Sequence, residues 1–436
     1  MTKQEDKLAS EQVQPQEGDA LESWLAYVSS VHWKNWDLGL DRMHEMVQRM
    51  NLASPAPLVI TVAGTNGKGS TCIAMEAGLS AGGLTVACTL SPHIVRFNER
   101  FRINGVEASD AEIVAALEVV EHARADLSLS YFEFSTLAFL WFAQSKGVDA
   151  VILEIGLGGR LDAFNAVDAD IAVITSIDFD HEQYLGDTLN KIGAEKAGIL
   201  RAGQHAVFGP DLPESVFLRA NELHLNPVQY GHDFAVSKVG ECTLEFSFGP
   251  ELNPHVIRAW GNGNIAPQNI SVAAAALQGV EQACARFHLS DETLAAMCNA
   301  YIRGRFDLVE ALDRCWILDV AHNEQGAQFL LQRVQEQGLE IKAVMCGMLV
   351  DKHHHDFIKL LSSAIDGPWV FLDTLGERGH PGAELLASAP SGVQGCVVSD
   401  MQQGVAEVLS CTDAQDVILC AGSFNLIEQF HNHVLS

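Results

Sequence analysis

The chain has 436 residues, 48% hydrophobic and 19% charged, a globular composition with room for two or three domains and a substantial core. A formal charge of −29 excludes a nucleic-acid surface, which needs clustered Lys and Arg, but allows small anions held by a few cations and backbone amides. The apolar runs break well short of the roughly 18 residues of a membrane span, and ten cysteines, scattered singly without a C-x-x-C pair, read as reduced buried thiols.

Residues 1–20 are polar and acidic, lack the basic-then-apolar build of a signal peptide, and read as a flexible tail; a cytoplasmic location is expected. A first helix is expected near Leu21. The runs "PLVITVAG", "LTVACTLS", "VDAVILEIG" and "ADIAVITSID" then read as strands. Between the second and third, "SDAEIVAALEVVEHARA" opens on a capping box, Ser109 with Glu112, and continues as an apolar helical stripe. Residues 210–258 read as irregular, with short alternating pieces such as "CTLEFSF", before a helix in "NISVAAAALQGVEQACARF". A second βα series follows "YIRGRFD": "CWILDVA", "KAVMCGM", "WVFLDT", "GCVVSD" and "DVILCAGS". Alternating strands and helices predict an α/β fold: a mostly parallel, P-loop-type N-terminal sheet covered by helices on both faces, over 21–302, and a smaller Rossmann-like α/β domain over 303–436.

The stretch "LVITVAGTNGKGST" has a strand, a Gly-rich turn, a lysine and hydroxyls opening a helix, yet departs from G-x-x-x-x-G-K-S/T. Gly64 stands three residues before Gly67 rather than five, and Gly69 separates Lys68 from Ser70. Three glycines let backbone N–H groups converge on a phosphate, and the helix adds its positive end. Other candidates lie past the carboxyl ends of the strands, where open α/β sheets bind ligands. "TLSPH" places Ser91 and His93 there, "VILEIGLGGRLDAFN" places Glu154, Arg160 and Asp162, and "VITSIDFDHEQYLG" places Asp178, Asp180 and His181. Ser91, Glu154 and His181 together suit magnesium held partly by nucleotide phosphates. By its own chemistry Lys196, in "KIGAEKAGIL", reads as a solvated helix lysine. The run His353–His355 looks metal-like but falls in a solvated loop or helix start.

The segments "GTNGKGS", "SPHIVRFNER", "SYFEFSTLAF", "ILEIGLGGRLDAFN", "DHEQYLG", "EKAGIL", "GRFD", "LDVAHN" and "GMLVDK" run in order across nearly the whole chain. Together they resemble the folylpolyglutamate synthase branch of the Mur ligase family, and most of all its bacterial members that also carry dihydrofolate synthase activity. The resemblance implies ATP-dependent joining of L-glutamate to dihydropteroate and to reduced folates, by an enzyme expected to be a monomer. It implies that Thr65, Asn66, Gly67, Lys68, Gly69 and Ser70 cradle ATP, with Asn269, Arg305 and Asp319 also touching the nucleotide. Ser91, Glu154 and His181 would ligate magnesium. Lys196 would carry a carbamate that helps hold a second ion. The pterin-bearing substrate would meet Ser130, Tyr131, Phe132, Glu133, Leu161, Asp162 and Ala163, with Asp37 and Leu38 contributing. His322 would line the glutamate side, and Lys68, Lys196 and His322 form the expected catalytic set. Two departures stand out: Thr89-Leu90-Ser91 keeps only the second serine of a frequent doublet, and Phe164 replaces a smaller residue, a change expected to alter the pterin pocket. A polyglutamylating enzyme alone, a cell-wall Mur ligase and a nucleotide-dependent switch remain alternatives.

Overall fold

The run Leu58–Ala63 forms strand β1 and is buried at every position, the pattern of a central strand covered on both faces. In the computed structural model, which describes residues 15–16, 19–32, 39–240, 242–249, 255–374, 376 and 378–435, β1 lies inside an eight-stranded sheet. Its other members are β2 (Val86–Thr89), β3 (Arg102–Ile103), β4 (Val106–Glu107), β5 (Ala150–Glu154), β6 (Ile171–Ile174), β7 (His205–Phe208) and β8 (Val228–Gln229). The order is β4-β3-β2-β5-β1-β6-β7-β8, parallel except for β2–β3 and β3–β4.

Helices cover both faces. Lys68–Ala81, Pro267–Ala283 and Asp291–Cys298 pack on one side around Leu79, Leu277 and Met297; Asp110–Arg124 and Tyr131–Lys146 pack on the other around Leu117, Phe134 and Phe139. Each fully buried side chain of this kind contributes about 1.5–3 kcal/mol. The expected capping box is present: Ser109 Oγ accepts from Glu112 N, and Glu112 returns a carboxylate oxygen to Ser109 N at 2.9 Å.

Two local expectations need correction. The connection between β2 and β5 holds the β3–β4 hairpin and two helices rather than one. The second, Tyr131–Lys146, is buried on nearly every side and so shows no polar stripe. The segment read as irregular carries a three-stranded antiparallel sheet: β9 (Phe234–Lys238), β10 (Thr243–Phe248) and β11 (His255–Trp260).

A six-stranded sheet follows, built from β12 (Asp307–Ala311), β13 (Arg314–Asp319), β14 (Ile341–Cys346), β15 (Trp369–Leu372), β16 (Gly395–Val398) and β17 (Val417–Ala421). Its order is β12-β13-β17-β14-β15-β16, with only β12 antiparallel. Helices Glu324–Glu336 and His354–Ser362 pack on one face, Met401–Ser410 and Phe424–Phe430 on the other. All ten cysteines are free.

Candidate active site

Strands β2, β5, β1 and β6 are neighbours, so the segments leaving their carboxyl ends lie side by side. After β1 the chain turns at Gly64 (φ +152°) and Gly67 (φ +82°), conformations that favour glycine. Space also forbids a side chain: a Cβ on Gly64 would stand 1.9 Å from Thr175 Oγ1, and one on Gly67 2.4 Å from Asn269 Oδ1. Helix Lys68–Ala81 starts at once, turning its unpaired N–H groups toward the loop. Lys68 Nζ donates to Gly64 O at 3.0 Å and to Thr65 O at 3.1 Å. Burial lowers the Lys68 pKa, against the pull of Glu154 and Asp180.

Glu154 closes β5 as a buried carboxylate, and its Oε2 accepts the Ser91 N–H at 2.7 Å. Burial pushes its pKa up, opposed by Lys68 and the Ser91 amide. Ser91 Oγ is buried without a hydrogen-bond partner, an orphaned oxygen beside a carboxylate. His181 stands past β6 with φ +52°, its pKa brought down to about 4 mainly by burial, so the imidazole is neutral and able to ligate. Among the described residues no three His, Cys, Asp or Glu converge as a metal cage. A hydroxyl, one carboxylate and one imidazole suit an ion that keeps phosphate oxygens and waters as its other ligands.

Lys196 is not solvated. It ends helix Leu189–Lys196, is 5% exposed, and donates from Nζ to Gly64 O at 2.8 Å. Burial first, then Lys68, lowers its pKa to about 7. A substantial neutral fraction at neutral pH is what carbamate formation requires. A pocket of about 30 Å³ joins it to Lys68, Asp180 and His181.

These segments form one wall of a cavity of about 300 Å³. The opposite wall comes from the second sheet, where β13, β17 and β14 are neighbours. Arg305 and His322 reach the cavity there, with Phe424 and Lys352. The Arg305 guanidinium lies 5.1 Å from the Phe424 ring centroid, and His322 Nδ1 sits 2.8 Å from Val320 O. Between the walls, Asn66 Nδ2 donates to Gln325 Oε1 at 2.7 Å, and Ser176 Oγ donates to the same oxygen at 3.0 Å.

The residues expected around the pterin sort into two kinds. Ser130, Tyr131, Phe132, Glu133, Leu161, Asp162 and Ala163 all line the cavity. Yet Ser130 and Glu133 form the capping box of helix Tyr131–Lys146, and Arg42 binds the Glu133 carboxylate at 3.0 Å. Asp162 accepts from Gly156, Leu157 and Phe164 N–H groups at 2.9–3.0 Å and so ties its loop together. Burial nevertheless raises the Asp162 pKa to about 6, because desolvation outweighs the three amides. Phe164 packs behind Phe132 and Phe139, at 5.8 and 6.1 Å, and is not part of the cavity wall. Asp37 and Leu38 lie outside the described residues.

Three expected nucleotide contacts stand off the cavity wall. Ser70 is buried in the first helical turn, Asn269 abuts Gly67, and Asp319 accepts Phe306 N at 2.8 Å and Ala321 N at 2.7 Å. Sequence reasoning gave no role to Arg100, Lys352 and Gln325 and only mentioned Asp180; all four are polar residues near strand ends or at the seam. The three histidines of 353–355 diverge: His353 faces Glu182, His354 packs on His380, and His355 faces Ser388 O.

The Mur ligase middle domain matches residues 62–248, and the Mur ligase glutamate ligase domain matches 304–424. The dihydrofolate synthase/folylpolyglutamate synthase of Escherichia coli strain K12 is 37% identical over 426 residues, 95% of each chain. The chain belongs to the Mur ligase family, among the dihydrofolate synthase/folylpolyglutamate synthases. Two solved structures of this group are similar throughout. Escherichia coli FolC in complex with DHPP and ADP is 35% identical with a TM-score of 0.87, covering 96% of this chain and 98% of that one. The bifunctional enzyme of Yersinia pestis complexed with AMPPNP and Mn ion is 37% identical, also at 0.87, covering 96% and 99%. As a member of this family the chain is an ATP-dependent ligase.

Proposed function

We propose that the protein joins L-glutamate to dihydropteroate, and to reduced folates, with conversion of ATP to ADP and phosphate. The observation that carries the reading is a cavity shared between two sheets, with a phosphate loop, Ser91, Glu154 and His181 on one wall and Arg305 and His322 on the other. We place the division between the two lobes near residue 302. The cavity is built within one chain, which supports a monomer, and no described helix is long and apolar enough to cross a membrane. A cytoplasmic site fits that reading.

A carboxylate cannot expel oxide when an amine attacks. Transfer of the γ-phosphoryl group to it makes an acyl phosphate, whose leaving group is phosphate. Bound magnesium supplies charge neutralisation on the transferring group; Ser91, Glu154 and His181 would hold it, and a Lys196 carbamate would hold a second ion. Lys68 would leave the loop carbonyls it now contacts to meet the terminal phosphates, with Thr65 to Gly69 surrounding them. Asn269 fixes the turn at Gly67, and Asp319 fixes the segment bearing Arg305. Tyr131, Phe132, Leu161 and Ala163 supply the flat apolar surface a pterin needs. Ser130, Glu133 and Asp162 hold that surface in place. His322 faces the amine side. Enclosure between the walls keeps water from the activated acid.

Purified protein given ATP, magnesium, glutamate and either dihydropteroate or a reduced folate should form the glutamylated product, with phosphate release dependent on both acid and amine. Phosphate release without either would instead favour a nucleotide switch.

A further inference from the structure

A file of alternating charge crosses the seam between the two walls, and its members Arg378, Asp351, Lys352 and Asp180 have no part in the mechanism above. It begins at Arg378, which donates to both carboxylate oxygens of Asp351, at 3.0 Å from Nε and 2.6 Å from a terminal nitrogen. Asp351 Oδ2 lies 3.8 Å from Lys352 Nζ. Lys352 Nζ donates across the seam to Asp180 Oδ1 at 2.6 Å. The second oxygen of Asp180 faces two imidazoles, His322 Nε2 at 3.6 Å and His181 Nε2 at 3.7 Å. The Asp180 and Lys352 side chains are 14% and 7% exposed, so this pair is shielded, unlike the neighbouring His353–Glu182 contact.

One carboxylate therefore touches a residue of the metal-side wall and two residues of the opposite wall. A shielded pair of this kind is favourable only when both partners are in place, because removing one leaves the other charge desolvated. That makes it a poor general stabiliser and a good register. It is complete when segment 349–353 is seated against segment 180–184, and it weakens as the two separate.

We propose that Asp180 is a positioning residue of the ligase reaction, setting Lys352 and His322 in the cavity relative to His181 and making their placement conditional on the two walls meeting. The inference rests on the ligase reading for its kinetic arm only. Asp180 transfers no group; it fixes where the second wall's cation and imidazole stand when the amine arrives. Asp351, itself held by Arg378, braces Lys352 from behind.

The test uses the full-length protein. Asp180→Asn keeps the shape and removes the charge. The KM for glutamate should rise at least tenfold, while affinity for a non-hydrolysable ATP analogue and half-saturation by magnesium stay within twofold. Lys352→Met, on the other side of the seam, should do the same, and the double variant should be no worse than the worse single one. Hydrogen exchange with the analogue bound should rise in residues 349–353 of Asp180→Asn and stay unchanged in residues 64–70. Wild-type protein that makes no product would strike at the ligase reading, and the exchange comparison would still decide the seam. An unchanged glutamate KM, unchanged exchange, multiplicative effects in the double variant, or a defect confined to magnesium half-saturation would overturn the role given to Asp180. If Asp180→Asn fails to fold, Lys352→Met reads the same contact alone.

Discussion

The two sheets present the same arrangement to the cavity and fill it with opposite chemistry. In the first, β2, β5, β1 and β6 end side by side and deliver a hydroxyl, a carboxylate, a glycine turn and an imidazole. In the second, β13, β17 and β14 end side by side and deliver His322, Phe424 and Lys352. In the proposed reading the first row surrounds phosphate and a cation, and the second faces an anionic partner with bases and an aromatic ring. Sheet geometry thus decides where ligands go, and the residues at the strand ends decide which ligand each row takes.

Substitutions can break one row at a time. The largest effects belong to the first. Lys68→Ala and Glu154→Ala should each lower turnover by about 10³-fold or more with the protein still folded, measured by steady-state kinetics beside circular dichroism. Near-full activity in either would remove that row from the chemistry. Gly67→Ala meets both a positive φ and the Asn269 amide, and should weaken ATP by about 10- to 100-fold, a strain of roughly 1–3 kcal/mol, read by analogue titration. The seam comes next: Gln325→Leu leaves Asn66 Nδ2 and Ser176 Oγ without their shared acceptor, and should cost about tenfold in kcat/KM.

The smallest effect lies away from both rows and serves as the control. Lys146 first, then Ser109, holds Glu112 down to about 2. A depressed carboxyl stabilises the folded protein above its unfolded pKa of about 4.3, and that contribution is lost as pH falls through 2. Because the Lys146–Glu112 pair is substantially exposed, Glu112→Gln should cost only a few tenths of a kcal/mol at pH 7, and nothing below pH 2, in denaturant titrations.

The first row was legible because its residues follow strands at fixed offsets and include glycines whose conformation no other residue takes easily. Ser91, Glu154, His181 and Lys68 come from four segments, yet each is announced by an apolar run that ends abruptly. Lys196 was misread from its residues alone, since a lysine in a mixed helix gives no sign that the Gly64 carbonyl will cover it. Glu133 and Asp162 line the cavity, but their hydrogen bonds to helix and loop amides depend on local geometry that a family pattern does not express. The Asp180–Lys352 contact joins residues 172 positions apart, and no local periodicity encodes it. The helix Tyr131–Lys146 was hidden for the opposite reason: surrounded by core, it needs no polar face.

The most direct test of the central claim follows the oxygen of the activated acid. Dihydropteroate carrying a heavy-oxygen label in its carboxyl group is turned over with ATP and glutamate, and the released phosphate is analysed by mass spectrometry. Activation by phosphoryl transfer predicts one labelled oxygen in the phosphate, with ADP as the other product. Label appearing in AMP, or phosphate free of label, would contradict it.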